Sequence, residues 1–273
     1  MFKADLHIHS YKSFDADRDA TIINILETAE KRGLRQIALC DHYDVNWVAT
    51  GENPDIDFKN SQELIDKAKQ RIPNSVDFLL GIELGQPHHL PDMSKKVLAD
   101  NDFDFILCSL HNAREEPDFY YIDYKNMNIL SLIRIFEKYN DELCELANWG
   151  EYHSLAHITY PVRYFSVNNI HISLKKYYDI YKKLFSILIH RGIALEVNTS
   201  GLSKRINATS PSFDLLELYK SMGGELITVG SDAHNLTNIY SGIAYTHECL
   251  LKLGFKYVCV IKDKKLEQIK IEI

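Results

Sequence analysis

The sequence predicts an α/β fold in which parallel strands close into an irregular barrel, and three observations support this prediction. The chain has 273 residues, a length that suits one barrel-type domain spanning residues 1–273. Seven short apolar runs alternate with segments of helical periodicity, which is typical of βαβ units and a parallel sheet. Polar residues able to bind metals stand at the ends of nearly all these runs. Periodicity by itself leaves a doubly wound open sheet as an alternative.

The apolar runs predict the strands, and the segments between them predict the helices. The strands are expected at residues 2–8, 36–40, 76–83, 103–110, 152–157, 193–198 and 226–230. The helices are expected at 21–31, 61–71, 93–100, 127–146, 173–190, 212–222 and 247–253, before two strand-like runs at 257–261 and 268–273. Asp19 or Thr21 is placed to cap the first helix, and Gly33 and Gly192 stand where a left-handed glycine often ends one.

Composition limits the classes of function. The net charge of −7 disfavours a nucleic-acid partner, although metal ions can supply local positive charge to a phosphorylated substrate. The five cysteines lack C-x-x-C spacing, which indicates reduced thiols. The N-terminus lacks the pattern of a signal peptide, and no apolar run approaches the roughly 18 residues of a membrane span. We therefore expect a cytoplasmic protein with a small-molecule substrate and without a membrane partner.

The strand ends carry the chemistry. In parallel α/β folds the C-terminal ends of the strands face one mouth, where active sites are built. His7 and His9 point to the same side of the first strand, roughly 6–7 Å apart along it. The residues at the ends of the later strands are His42, Glu83, His111, His157, Asn198, Asp232 and His234. A set of His, Asp and Glu suits Zn, Mn or Fe, and the absence of cysteine at these positions disfavours a structural zinc finger.

These positions also form an ordered set of short motifs. They are H-I-H at 7–9, D-H at 41–42, G-I-E at 81–83, S-L-H at 109–111, A-H at 156–157 and G-S-D-A-H at 230–234. In this order they resemble the PHP (polymerase and histidinol phosphatase) family of metallohydrolases. The resemblance implies a distorted (β/α)7 barrel that holds two or three divalent metal ions at the C-terminal ends of its strands.

Two longer phrases are similar to the histidinol-phosphatase branch of that family. They are A-H-I-T-Y-P-V-R-Y at 156–164 and L-E-V-N-T-S-G-L at 195–202. The resemblance therefore implies hydrolysis of L-histidinol phosphate to L-histidinol and phosphate in histidine biosynthesis. The alternatives are a PHP-type phosphatase or phosphodiesterase acting on nucleotides, and a non-catalytic PHP module. A non-catalytic module would have lost ligands, whereas here every expected position is filled.

The family pattern implies which residues hold which metal. His7, His9, Glu83 and Asp232 would surround the first. Glu83, as a bridge, would hold the second together with His111 and His157. The third would be held by Asp15, His42 and His234. Asp15 departs from the pattern, since many relatives have histidine in that loop.

Further residues are candidates for catalysis and for substrate binding. Asp232 or a metal-bound water would protonate the leaving alkoxide. Arg163 and Arg205 are expected to bind phosphate as planar forks, with Lys204 as an adjacent competitor. The candidates for contact with the substrate imidazole are Tyr43, Tyr160 and Asn198.

Some neighbouring residues compete for the same roles. His153 could replace His157 as a ligand, although the A-H-I spelling favours His157. His88 and His89 follow Pro87, so we expect them on a surface loop and not bound to metal. Asp5, Asp41 and Asp44 are the candidates for supporting groups, with Asp5 either orienting an imidazole or simply beginning a strand.

Overall fold

The computed structural model describes residues 2–46, 56–72, 76–150, 152–203 and 206–272. Within these ranges ten strands are present. They are β1 (Ala4–Ile8), β2 (Gln36–Leu39), β3 (His42–Asp44), β4 (Asp77–Gly85), β5 (Phe105–Ser109), β6 (Ser154–Leu155), β7 (Ala194–Asn198), β8 (Ile227–Gly230), β9 (Tyr257–Lys262) and β10 (Lys265–Lys270).

Eight α-helices accompany these strands in the described ranges. They are α1 (Ile22–Lys31), α2 (Phe58–Arg71), α3 (Pro91–Asp100), α4 (Ile129–Trp149), α5 (Tyr160–Val167), α6 (Tyr178–Arg191), α7 (Phe213–Ser221) and α8 (Ile243–Lys252). Within the parts of the chain that the structure describes, no helix combines the length and apolar character needed to cross a membrane.

The strands form a parallel sheet in the order β1-β2-β4-β5-β6-β7-β8, with the short β3 added beside β4. A parallel bridge between Ile8 and Ala233 brings β1 against the chain that leaves β8. The His9 amide donates to the Ala233 carbonyl at 2.9 Å across this seam. The prediction of a closed, distorted seven-stranded α/β barrel is therefore confirmed, and the open-sheet alternative is wrong.

Two apolar regions stabilise the barrel. The larger lies between the strands and the surrounding helices, and it includes Ile37 and Leu39 of β2. Because side chains alternate along a strand, Ala38 and Cys40 point to the other side, where they join a smaller buried cluster with Leu79, Phe105 and Leu107.

The C-terminal hairpin of β9 and β10 is antiparallel and closes one end of the barrel. Ile261 of β9 packs in the smaller cluster. The Gln36 side-chain amide donates to the Ile261 carbonyl at 2.6 Å and accepts from the Ile261 backbone amide at 2.9 Å. Since Gln36 begins β2, the hairpin covers the N-terminal end of the strands. The C-terminal end is left for the functional site.

Local signals explain most element boundaries. Thr21 caps α1 by accepting from the Asn24 amide, and Gly33 and Gly192 adopt φ of +69° and +67° after their helices. The second helix begins earlier than expected, at Phe58, because Asp57 caps it by accepting from the Asn60 amide.

Two elements were not expected. Helix α5 begins with Tyr160-Pro161, a position where proline is well tolerated. The three-residue strand β3 lies where no strand is predicted. Both matter for the site, because α5 carries Arg163 and β3 carries His42 and Asp44.

Candidate metal centre

The nine predicted ligands gather at the C-terminal ends of the strands. His7 and His9 belong to the end of β1, Glu83 lies in β4, and Asp232 and His234 follow β8. The His7, His9 and Glu83 side chains are fully buried. Asp15 lies at the rim with 40% of its side chain exposed. The centre therefore runs from the barrel interior towards solvent.

The first group of side chains surrounds the Nε2 atoms of His7 and His9, which lie 3.0 Å apart. Glu83 Oε2 is 3.3 Å from His7 Nε2 and 3.5 Å from His9 Nε2. Asp232 Oδ1 is 3.4 Å from His9 Nε2 and 3.9 Å from His7 Nε2. Two nitrogens and two carboxylate oxygens thus converge on one point.

The second and third groups share Glu83 and the rim. Glu83 Oε1 lies 3.2 Å from His111 Nε2 and 2.8 Å from His157 Nε2, so the two oxygens of Glu83 face different histidines. Asp15 lies 3.7 Å from His42 Nε2 and 3.1 Å from His234 Nε2. His42 also reaches inward, with Nδ1 2.9 Å from Glu83 Oε2.

Neighbouring carboxylates fix which nitrogen of the His7 and His111 imidazoles faces the centre. Glu196 Oε1 lies 2.6 Å from His7 Nδ1, and Asp44 Oδ1 lies 2.6 Å from His111 Nδ1. A carboxylate only accepts hydrogen bonds, so both Nδ1 atoms carry a proton, and the Nε2 atoms are left to face the centre. Asp44 is thus the supporting group that was expected.

His9 is oriented in the same way through a serine. Ser13 Oγ donates to Asp41 Oδ1 at 2.8 Å and therefore accepts from His9 Nδ1 at 3.1 Å. Asp41 also accepts from the backbone amide and hydroxyl of Ser10, so it holds this loop and supports His9 indirectly. Asp5, by contrast, binds the Ser231 amide and hydroxyl and orients no imidazole.

These tautomers show that the centre suits cations. With both Nδ1 atoms protonated, the Nε2 atoms of His7 and His9 lie only 3.0 Å apart, and without a proton or a metal ion between them both would be acceptors. Such an arrangement is unfavourable unless a positive charge lies between them. The donor chemistry and this geometry both fit divalent metal ions held by nitrogen and oxygen.

Without metal ions, the protein relies on protons to balance the buried carboxylates. Burial would lower the pKa of His42, but the charges of Glu83, Asp15 and Asp44 raise it to about 9. Burial would raise the pKa of Asp232, yet a hydrogen bond with His9 and the charges of His7, His234 and Arg163 hold it well below its ordinary value. Asp232 is therefore an ionised carboxylate.

The backbone at the centre is unusual at two ligand positions. His157 and Asp232 have φ of +23° and +53°, in the left-handed region that non-glycine residues rarely adopt. Close packing also fixes β8 beside the centre, since a Cβ on Gly230 would collide with the Cβ of His7. The surrounding barrel thus holds these residues in place.

The centre opens into a cavity of about 530 Å³. Arg163 of α5 lines it and donates to Ser200 Oγ at 2.6 Å and to Asp232 Oδ2 at 3.1 Å. The wall beyond the metal-binding residues is aromatic and includes Tyr120, Tyr160 and Tyr164.

A buried carboxylate, Asp118, also lines the cavity. It accepts from the Tyr160 hydroxyl at 3.0 Å, and burial raises its pKa.

The structure separates the competing residues. His153 accepts from the Ile106 amide at 2.9 Å and contacts the Lys264 carbonyl at 3.0 Å, so both ring nitrogens are engaged away from the centre. His157 lies against Glu83 instead.

Of the candidates for imidazole contact, Tyr160 lines the cavity, whereas Tyr43 packs on Phe58 and Asn198 bonds Glu196 and Ser200. Arg205 and Lys204 lie outside the described residues.

Three residues of the site were not predicted from the sequence, namely Glu196, Asp118 and Ser200. Glu196 could have been found, because it alternates with Asn198 on one face of β7 and therefore points to the same side. Asp118 and Ser200 stand in loops, where no periodicity indicates direction. His88 and His89 are buried, so the prediction of a surface loop is wrong.

A parallel α/β barrel with clustered histidines and carboxylates at its C-terminal strand ends has the architecture of a metal-dependent hydrolase. The family model of the PHP domain matches residues 5–200, which is more than half of the chain. The chain belongs to the PHP domain family.

Named relatives match over nearly the whole length. The chain is 28% identical over 271 residues to a probable histidinol-phosphatase of Thermotoga maritima, covering 98% of this chain and 99% of the relative. It is also 28% identical over 262 residues to a probable histidinol-phosphatase of Clostridium acetobutylicum, covering 92% and 95%.

A solved structure has the same fold. The crystal structure of histidinol phosphate phosphatase from Lactococcus lactis, complexed with zinc, L-histidinol and phosphate, superposes with a TM-score of 0.80 at 20% identity. The superposition covers 97% of this chain and 98% of that one.

Proposed function

We propose that this protein is a metal-dependent phosphomonoesterase that hydrolyses L-histidinol phosphate to L-histidinol and phosphate in histidine biosynthesis. The observation that carries the proposal is one cavity that joins a His and carboxylate centre to an arginine, an aromatic wall and a buried carboxylate. The named relatives and the Lactococcus lactis complex support the same activity. A cytoplasmic location suits a biosynthetic enzyme with five free cysteines.

Two or three divalent ions fit the centre, with Zn, Mn and Fe all compatible with the donors. We assign His7, His9, Glu83 and Asp232 to a first ion. A second would be held by Glu83, His111 and His157. The rim residues Asp15, His42 and His234 would hold a third. Such ions supply a hydroxide nucleophile at neutral pH and neutralise phosphate charge.

We assign residues around the centre to binding the phosphate group. Arg163 is half of an ion pair with Asp232 and contacts Ser200, so its guanidinium is held in one orientation towards the cavity. We assign it to binding phosphate oxygens, where its planar fork matches their geometry. Arg205 remains a second candidate for the same role, since it follows the turn after Asn198.

The negative charge on Asp232 argues against a role as the general acid. An ionised carboxylate next to cationic groups has no proton to give to a leaving alkoxide. We therefore assign Asp232 to metal binding and to positioning Arg163 rather than to general-acid catalysis.

The rest of the cavity complements histidinol. Histidinol carries an imidazole and a protonated amine, and the cavity offers tyrosine rings that meet edge to face and the Asp118 carboxylate. The Tyr160 hydroxyl donates to Asp118, which fixes that carboxylate beside the aromatic wall. We assign Asp118 to the substrate amine and Tyr160 to the imidazole.

The test compares phosphate release from L-histidinol phosphate and from a nucleoside monophosphate, with and without a chelator. We expect efficient release from histidinol phosphate only, and loss of that release on chelation. Faster hydrolysis of the nucleotide would overturn the substrate, and activity that survives chelation would overturn the metal requirement.

A matched pair of variants tests the ligand assignment. His157→Ala removes a side chain that faces Glu83, whereas His153→Ala removes one that holds the backbone of Ile106. We expect the first to abolish most activity and the second to retain it. The reverse result would show that the wrong histidine has been assigned.

A further inference from the structure

A second group of metal-type side chains lies outside the catalytic centre. His88 and His89 follow β4, and Glu142 projects from α4. All three are buried, with exposures of 8%, 7% and 4%. None of them belongs to the nine residues of the catalytic centre, and none lines its cavity.

The three side chains converge. Glu142 Oε2 lies 2.6 Å from His89 Nε2 and 3.4 Å from His88 Nε2. The two imidazole rings meet edge to face, with their centroids 4.4 Å apart. One donor atom from each residue lies within 4.8 Å of the other two, the same spacing that groups the residues of the catalytic centre.

His88 shows that the group is incomplete as a hydrogen-bonded cluster. Its buried Nδ1 has no hydrogen-bond partner among the described residues, and its Nε2 has only a long contact of 3.4 Å with the Glu142 carboxylate. A buried polar atom without a partner is costly, and in proteins nearly all such atoms are satisfied.

We propose that His88, His89 and Glu142 bind a divalent ion of the zinc type at a site separate from the catalytic centre. Two imidazole nitrogens and one carboxylate oxygen are a known zinc-binding set, and water would complete the tetrahedron. The ion joins the segment after β4 to α4 and satisfies His88. This proposal does not depend on the identity of the substrate.

The neighbouring contacts position the ligands for this role. The Arg114 amide donates to Glu142 Oε1 at 2.9 Å, which leaves Oε2 directed at the two histidines. The Asn46 side-chain amide nitrogen lies 3.2 Å from His89 Nδ1, and this contact holds the ring with Nε2 directed at Glu142. Glu145 lies 3.7 Å from the Arg114 guanidinium and partly offsets its charge near the ion.

The competing explanation is a metal-free ion pair between His89 and Glu142 that fastens the loop to α4. Such a pair accounts for the burial of Glu142, but it leaves His88 with only the 3.4 Å contact to the same carboxylate oxygen. The two explanations differ in the number of metal ions that the protein holds.

The experiment counts zinc in the full-length protein after loading with zinc and desalting. Elemental analysis of the wild type is compared with His88→Gln, with Glu83→Gln and with the double variant. We expect His88→Gln to hold one zinc ion fewer per chain than the wild type. Glu83→Gln should lose the ions that Glu83 would hold in the catalytic centre, and the double variant should hold one zinc ion fewer than Glu83→Gln.

A matched control is His247→Gln. His247 is also a buried histidine with an unpartnered ring nitrogen, but it lies in α8 and belongs to none of the clusters. We expect it to hold as much zinc as the wild type. Should His88→Gln fail to fold by circular dichroism, Glu142→Gln provides the same count, since its amide oxygen still accepts from the Arg114 amide.

An unchanged zinc count in folded His88→Gln would overturn the proposal. So would a Glu83→Gln protein that holds no zinc at all. Because the readout is stoichiometry, failure of the proposed phosphatase activity would leave this result unaffected.

Discussion

Asp118 is the residue from which we expect discrimination between substrates. Its carboxylate lines the cavity and is held by the Tyr160 hydroxyl and the Tyr120 amide. Asp118→Asn keeps an acceptor for both donors but removes the charge. A hydrogen bond to a charged group contributes about 1.5–3 kcal/mol, so KM for L-histidinol phosphate should rise by roughly 10-fold to 100-fold.

The control substrate is p-nitrophenyl phosphate, which has no amine. Its KM should change little in Asp118→Asn, because the centre and Arg163 are untouched. Equal losses on both substrates would mean that Asp118 shapes the cavity without recognising the amine.

His247 should make stability depend on pH. Burial lowers its pKa to about 4, from 6.5 in the unfolded chain. Between these two values the unfolded chain binds a proton that the folded protein excludes, so stability falls as the pH falls from 6.5 to 4. The shift corresponds to about 2–3 kcal/mol over this window.

His247→Gln removes that proton uptake. In the presence of chelator, the free energy of unfolding of this variant should fall less steeply between pH 6.5 and 4 than that of the wild type. Urea denaturation at several pH values measures both slopes, and parallel slopes would contradict the prediction.

At the scale of elements, the pair β3 and β4 links the fold to the centre. The two strands are parallel, with His42 opposite Glu83 and Asp44 opposite Gly85. A Cβ on Gly85 would collide with the Asp44 carboxylate, which holds His111 Nδ1. This glycine is therefore required for the close approach of a supporting residue.

Gly85→Ala should weaken metal binding by displacing Asp44. Loss of a supporting contact typically costs 10-fold to 100-fold in metal affinity, so we expect a change of that order in zinc titration. Asp44→Asn should produce a similar loss, and the double variant should lose no more than either single one. Additive losses would show that Gly85 acts through another route.

Elements also show what the sequence could and could not predict. Apolar runs predicted six of the seven barrel strands closely, because their residues are buried on both faces and show up as continuous apolar stretches. The short β6 comprises only Ser154–Leu155 of the expected 152–157, and His157 with φ of +23° lies outside extended backbone. Helix α5 lies between the predicted strand at 152–157 and the predicted helix at 173–190, although Pro161 is compatible with a first helical turn.

The residues of the candidate site divide in the same way, into those that strand geometry predicts and those that depend on loop conformation. Residues at strand ends were predicted because strand geometry fixes where they point, and all nine predicted ligand residues lie together. Contacts that depend on loop conformation were missed, such as those of Asp118 and Ser200. The burial of His88 and His89 was also missed, because it arises from packing against α4, a helix more than 40 residues further along the chain.

For the whole molecule, the centre lies across the seam where the barrel closes. Strand β1 meets the segment after β8 through the single bridge of Ile8 and Ala233, whereas β4 and β5 pair from Gly81 to Gly85. His9 from one side of the seam and Asp232 from the other face the same point, with Nε2 and Oδ1 3.4 Å apart. Metal ions held there would fasten the closure of the barrel as well as support catalysis.

Removal of metal should therefore loosen this seam more than the rest of the barrel. An ion bound only by the folded state at 100 to 1,000 times its Kd stabilises that state by about 3–4 kcal/mol, so chelation should lower Tm measurably. Hydrogen exchange should accelerate most at the amides of His9 and Ala233, which bond across the seam. Amides between β4 and β5 serve as the internal control. Uniform acceleration in both regions would show that the ions stabilise the barrel as a whole without fastening its closure.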